Sequence, residues 1–162
     1  MQPDPFKVLG LPARFDLSRD EIERAYLARA AAVHPDLAGD ESHDASSALN
    51  AARTTLASPL ARAEVLLALR AGGVAPGDKS LPAGFLAEFM PLREEGEEAL
   101  ARGDRAEVER LRAWGMAERS RFSDVVRGLF AEPALDAARL RTTLNAWRYI
   151  ERLLERLDAG PR

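Results

Sequence analysis

The chain has 162 residues, 46% of them hydrophobic, and a formal net charge of −3. Such a composition supplies a packed core and argues against global disorder, while the charge gives no general attraction to nucleic acid or acidic lipid. There is no cysteine, and the only histidines are His34 and His43, which excludes disulfides, thiolate metal sites and cysteine-held clusters and leaves a histidine-built site poorly supplied.

No metal or cofactor is therefore expected. Met1–Leu11 lacks the basic run and apolar stretch of a signal peptide. No segment approaches the roughly 20 apolar residues of a membrane span, so a soluble cytoplasmic protein is the expectation. Ala, Leu, Arg and Glu dominate and β-branched runs are scarce, which favours helices throughout.

A short segment, Phe6–Leu9, is ended by Gly10. The next helix start is well marked. Ser18 and Glu21 form a capping-box pair, with Leu17 and Ile22 placed for the hydrophobic staple. Ile22, Ala25, Tyr26 and Val33 then make one apolar stripe, and Pro35 predicts a stop near His34. A polar loop, Leu37–His43, precedes a helix from about Asp44 to Ala57, with Ala45, Ala48, Leu49, Ala52 and Leu56 on its stripe. Ser58 and Pro59 start another helix as N-cap and first residue, running to about Arg70.

The stretch from Gly72 to Pro82 is rich in Gly and Pro and reads as a boundary. The expected division is a first domain over 1–71, a linker over 72–80 and a second domain over 81–162. Three amphipathic helices follow. The first covers about Ala83–Ala101, with Phe85, Phe89, Leu92 and Leu100 on its core face. The second covers Asp104 to about Phe130, with Val108, Leu111, Phe122, Val125 and Leu129. The third covers Pro133 to about Leu157, with Leu140, Leu144, Trp147, Leu154 and Leu157. Short connections between long helices predict an antiparallel three-helix bundle in an all-α protein.

His34-Pro35-Asp36 is the first chemical signal. Alone it also reads as a helix stop followed by a turn. Its context is more specific: Tyr26 lies upstream on the inward stripe, and Leu49-Asn50-Ala51-Ala52, Leu56, Ser58-Pro59 and Arg62-Ala63-Glu64 follow. This order resembles the J-domain of chaperone partners. Further on, Ser58 to Leu67, Phe85-Leu86 and Leu92-Arg93-Glu94-Glu95 are similar to the HscB branch of that family, so the resemblance covers nearly the whole chain.

The resemblance implies a co-chaperone and not an enzyme. It would bring an iron–sulfur scaffold protein of the IscU type to a specialised heat-shock ATPase chaperone of the HscA or DnaK type. His34, Pro35 and Asp36 would stimulate ATP hydrolysis by the chaperone, with Arg24 and Arg29 as further contacts. Leu86, Met90, Glu94, Glu98 and Tyr149 would hold the scaffold. Periodicity lends separate support. Leu86, Met90, Glu94 and Glu98 follow an i, i+4 rule and lie a quarter turn or more from the core face. Tyr149 is expected roughly opposite the Leu140–Leu144–Trp147 face, which would leave Leu86, Met90 and Tyr149 exposed beside carboxylates.

The chain departs from the J-domain pattern where a basic face is usual: Ala28, Ala30, Ala31 and Ala32 approach the loop, and Leu37 follows the tripeptide. Arg29 stands at a position usually leucine, and Arg53 at one usually aromatic. No glycine-rich phosphate loop and no nucleophile–base pattern is present. Two alternatives stay open: a general J-protein for a housekeeping chaperone, and a helical adaptor without ATPase-stimulating activity.

Overall fold

The structure is a computed structural model that describes residues 3–32, 40–72 and 78–160, the side chains of 40–43 excepted. It divides into two compact units, Met1–Gly72 and Gly73–Arg162. The described residues of the first form α1 (Pro5–Leu9), α2 (Arg19–Ala32), α3 (Asp40–Ala57) and α4 (Pro59–Arg70). Those of the second form α5 (Phe85–Arg102), α6 (Arg105–Ala131) and α7 (Ala137–Ala159). No described helix is long and apolar enough to cross a membrane.

Local chemistry sets the ends of the first helices. Asp4 caps α1 through the Phe6 amide, and Gly10 closes it at φ 70, a conformation that costs glycine little. At the start of α2 the capping box is reciprocal. The Ser18 hydroxyl accepts from the Glu21 amide at 3.1 Å, and the Glu21 carboxylate accepts from the Ser18 amide at 2.8 Å. Leu17 and Ile22 are both buried beside it. Ser58 caps α4 through the Ala61 amide, with Pro59 as first residue.

The core of this unit joins Phe6 and Leu9 of α1, Phe15, Ile22 of α2, Leu49, Ala52 and Leu56 of α3, and Leu66 and Leu67 of α4. A polar clasp ties α2 to α3. Tyr26 donates its hydroxyl to Asn50 Oδ1 at 2.9 Å, Arg53 pairs with Glu23 at 2.8 Å, and the Arg53 guanidinium lies over the Tyr26 ring. Arg53 thus covers the aromatic ring from a position where the family pattern has an aromatic residue. Arg62 is buried, gives its Nη1 to the Leu56 carbonyl at 2.6 Å and lies over Phe15.

The Glu21 carboxyl is held below its usual value of 4.5, first by the Ser18 amide and hydroxyl, then by Arg14 and Arg24. A carboxyl depressed in the folded state contributes its stability above the unfolded value and loses it as pH falls through the folded value. Glu21→Gln is therefore expected to lower the first unit's stability slightly at neutral pH, to flatten its pH–stability profile below about 4.5, and to converge with the wild type in acid, where the wild type has lost the same contribution. Urea unfolding across that range checks this; an unchanged acid limb would remove Glu21 from the account.

In the second unit, side-chain pairs fix helix directions. Arg119 meets Glu151 and Arg112 meets Asp158, so α6 and α7 run antiparallel. Phe85 and Phe89 meet Tyr149, and Glu97 meets Arg156, so α5 and α7 run parallel. Helix α7 contributes the widest buried arc, including Leu140, Leu144, Trp147, Ile150, Leu153, Leu154 and Leu157. Gly115 of α6 makes room for Leu154: a Cβ there would lie 2.8 Å from Leu154 Cδ2. Asn145, buried in α7, donates to the carbonyls of Asp78 and Ser80 at 3.0 and 2.9 Å and so holds that segment against the bundle.

Several boundaries differ from the sequence reading. Helix α3 begins at Asp40, so residues 40–43 are helical and not loop. Helix α5 begins at Phe85 behind Gly84 and continues through Pro91, which sits on an exposed position. Helix α7 begins at Ala137 and not at Pro133, because the Asp136 carboxylate caps the Arg139 amide. Val126, fully buried, takes the core place expected of Val125, which is half-buried.

Candidate partner-binding surface

His34, Pro35, Asp36 and Val33 lie outside the described residues. The helix leading toward them is described to Ala32, and its outer face is unusual. Leu27 is 56% exposed, with Ala28, Ala31 and Ala32 also exposed. Arg24 and Arg29 are exposed as well and make no ion pair among the described residues. Arg24 gives Nε to the Asp20 carbonyl at 3.3 Å, and the Arg29 guanidinium lies beside Gly10, in the space a Cβ there would need. This face thus presents Arg24 and an apolar strip, with Arg29 turned aside toward Gly10.

In the bundle, α5 sorts its residues into adjacent stripes. Phe89, Gly96, Ala99 and Leu100 are buried. Gly96 was not apparent as a core position from the sequence, since glycine carries no apolar signal; a Cβ there would sit 3.4 Å from Leu157 Cδ2. The stripe Leu86, Met90, Glu94, Glu98 runs along the outside. Leu86 is 44% exposed, Met90 half-buried, and Glu94 and Glu98 exposed. Glu98 pairs with Arg102 at 3.2 Å, whereas Glu94 has no ion pair among the described residues. Its neighbour Glu95 pairs with Arg110, which also grips Glu107; that carboxyl is held below its usual range, first by the hydrogen bond from Arg110.

Tyr149 does not stand where periodicity placed it. It is half-buried, edge-on to Phe85 and Phe89 with ring centroids 5.7 and 5.5 Å away. The reason is architectural. Helix α7 packs against both α5 and α6, so the side opposite Leu140, Leu144 and Trp147 is not free; part of it faces α5. Exposure of Tyr149 as a free apolar group is thereby corrected: its ring forms the wall of a groove.

That groove, about 490 Å³ in volume, runs between α5 and α7. Its apolar wall is Phe89, Tyr149 and Leu153. Glu97 and Arg156 close one part of it with two hydrogen bonds of 3.0 and 2.8 Å. Arg93 of α5 and Arg152 of α7 also line it; both are exposed, and neither pairs with a described residue. The sequence reading missed both arginines. Helical phase does place Phe89, Arg93 and Glu97 on one line, at i, i+4 and i+8, but not α7 opposite them. No group of three or more His, Asp or Glu suited to a metal occurs among the described residues. The surface can bind a partner by apolar contact and charge.

With this geometry established, similarity to known proteins is informative. The sequence profile of the HSCB C-terminal oligomerisation domain matches residues 81–158. The co-chaperone protein HscB homolog of Chromobacterium violaceum is 36% identical, over 96% of this chain and 89% of that protein. The homolog of Bordetella petrii is 32% identical, over 97% and 95%. Among solved structures, chaperone HscB from Vibrio cholerae superposes with a TM-score of 0.78 at 25% identity, covering 97% of this chain and 96% of that one. Human co-chaperone HscB superposes with a TM-score of 0.81 at 22% identity, covering 97% and 81%, and supports the fold alone. An all-α chain of a J-domain followed by a C-terminal helical bundle, related end to end to these proteins, belongs to the HscB family of co-chaperones.

Proposed function

We propose that this protein binds an iron–sulfur scaffold protein, delivers it to a specialised heat-shock ATPase chaperone and raises that chaperone's rate of ATP hydrolysis. One observation carries the reading: the relationship to HscB co-chaperones spans both compact units and not only one of them. Residues 1–71 act on the chaperone through His34, Pro35 and Asp36, with Arg24 and Arg29 beside them. Residues 72–80 link the two functions. Residues 81–162 hold the scaffold through Leu86, Met90, Glu94, Glu98 and the Tyr149 ring.

The physical logic is bivalency. A scaffold held on the bundle is presented to the chaperone at an effective concentration of about millimolar for a short tether, without any new contact between scaffold and chaperone. Proline in the docking tripeptide limits the entropy lost on binding, and an aspartate matches an arginine fork. Hydrolysis itself is done by the chaperone. Leu86 and Met90 supply apolar contact, and Glu94 supplies a charge with no described partner to compete for it.

The test is steady-state ATP hydrolysis by the cognate chaperone with scaffold present. Addition of this protein is expected to raise the rate severalfold. A second reading, an adaptor that does not stimulate, is favoured by the apolar strip at Leu27, Ala28, Ala31 and Ala32, which offers little electrostatic steering. Scaffold binding with no rise in rate would select it, and absence of both would reject the co-chaperone function.

A further inference from the structure

Resting on the scaffold-binding reading, the α5–α7 groove carries a more specific one. We propose that it is a cationic subsite for the scaffold, in which Arg93 and Arg152 take a carboxylate side chain while an adjacent apolar side chain lies on the half-buried Tyr149 ring, which Phe89 and Leu153 support from beneath. The occupant is thus an acidic residue next to an apolar one on the scaffold surface.

The argument begins with the pairing of arginines in the bundle. Arg110, Arg112, Arg119, Arg121 and Arg156 are each tied to a carboxylate. Arg93 and Arg152 line the groove, one from α5 and one from α7, with no such partner among the described residues. Glu97, the carboxylate of the groove, is already engaged by both ends of the Arg156 fork. The groove therefore presents two uncompensated positive charges above an apolar wall. A guanidinium is weakly hydrated and planar, and it matches a carboxylate through two parallel hydrogen bonds. Apolar surface beside it lowers the local dielectric and strengthens that pairing.

The neighbouring stripe makes the charge meaningful. Met90 and Glu94 follow Phe89 and Arg93 by one residue, roughly 100° around α5. The surface is therefore dipolar, negative on the outer stripe and positive in the groove. A partner must offer a basic patch and an acidic side chain in the matching order. Such an arrangement fixes orientation and rejects partners with uniform charge, which a purely acidic stripe would not do.

The experiment measures binding of the apo scaffold protein to the full chain by calorimetry, at about 0.05 M and about 0.5 M salt. The variants are R93Q/R152Q and R93E/R152E, each checked for an unchanged thermal melt, as expected for exposed side chains. At low salt the glutamine variant is expected to bind about tenfold more weakly and the glutamate variant more weakly still. Both deficits should shrink at high salt, where charges are screened. If wild type binds and both variants stay within about twofold of it, the subsite is refuted while scaffold binding stands. A deficit of the same size at both salts also refutes it, since the arginines would then act through packing. If wild type itself does not bind scaffold, both the subsite and the function it rests on are rejected.

Discussion

Asp36→Asn is expected to abolish stimulation of the chaperone's ATPase while leaving scaffold binding at its wild-type value. The exchange keeps the size and shape of the side chain and removes one negative charge. A carboxylate facing an arginine fork makes charge-assisted hydrogen bonds about twice as strong as neutral ones. Losing one partner of such a desolvated pair costs about 2–5 kcal/mol, which at 1.4 kcal/mol per factor of ten is a fall of roughly thirtyfold or more. The proposed scaffold surface lies in the other compact unit, within Gly73–Arg162, so calorimetry with scaffold alone should show no change. Stimulation that survives the exchange would remove Asp36 from the mechanism. Simultaneous loss of scaffold binding would mean that the variant disturbs more than the docking loop.

Trp147→Ala is the reciprocal experiment, and its target is the bundle. Trp147 is fully buried, stacks on Phe122 with centroids 6.4 Å apart and gives its Nε1 to Glu151 at 2.8 Å. Glu151 in turn takes two hydrogen bonds from Arg119 of α6. Truncation removes the largest side chain of the core and one of the two donors to Glu151 Oε1, which keeps its bond from Arg119. A loss of about 3–5 kcal/mol is expected, a large fraction of the roughly 5–15 kcal/mol typical of a domain. Trp114 stays as the sole remaining tryptophan, also in the bundle, so its fluorescence follows this unit alone. Its unfolding midpoint in urea should fall steeply, and scaffold binding at 37 °C should fall with it. A midpoint within experimental error of wild type would show that the core repacks around the gap.

Legibility in the sequence followed the range of each interaction. The Ser18–Glu21 box and the Ser58–Pro59 start depend on residues a few positions apart, and both stand where the sequence puts them. The all-α class follows from composition and breakers. One difference is itself local: Pro133 is well suited to begin a helix, but the Asp136 carboxylate caps the Arg139 amide and α7 starts there. The others arise where a distant element decides. Periodicity puts Tyr149 on an outer face when α7 has one partner helix; α7 has two, and Tyr149 meets Phe85 and Phe89 of α5. The groove arginines are invisible to any single-helix pattern, since Arg93 and Arg152 share a site only once α5 and α7 lie parallel. For His34, Pro35 and Asp36 the family resemblance remains the whole argument.

The wide buried arc of α7 has a consequence for how the protein is born. A chain leaves the ribosome from its N-terminus, at about 5–20 residues per second. The first unit is complete once α4 delivers Leu66 and Leu67, and it can close while the rest is being made. The bundle cannot. Phe122 of α6 waits for Trp147 of α7, a delay of roughly one to five seconds at that rate, and Phe89 of α5 waits for Tyr149, roughly three to twelve seconds. During that interval the nascent bundle shows the kind of exposed apolar helix that chaperones bind, so a protein that works with a chaperone passes through a stage in which it resembles a client.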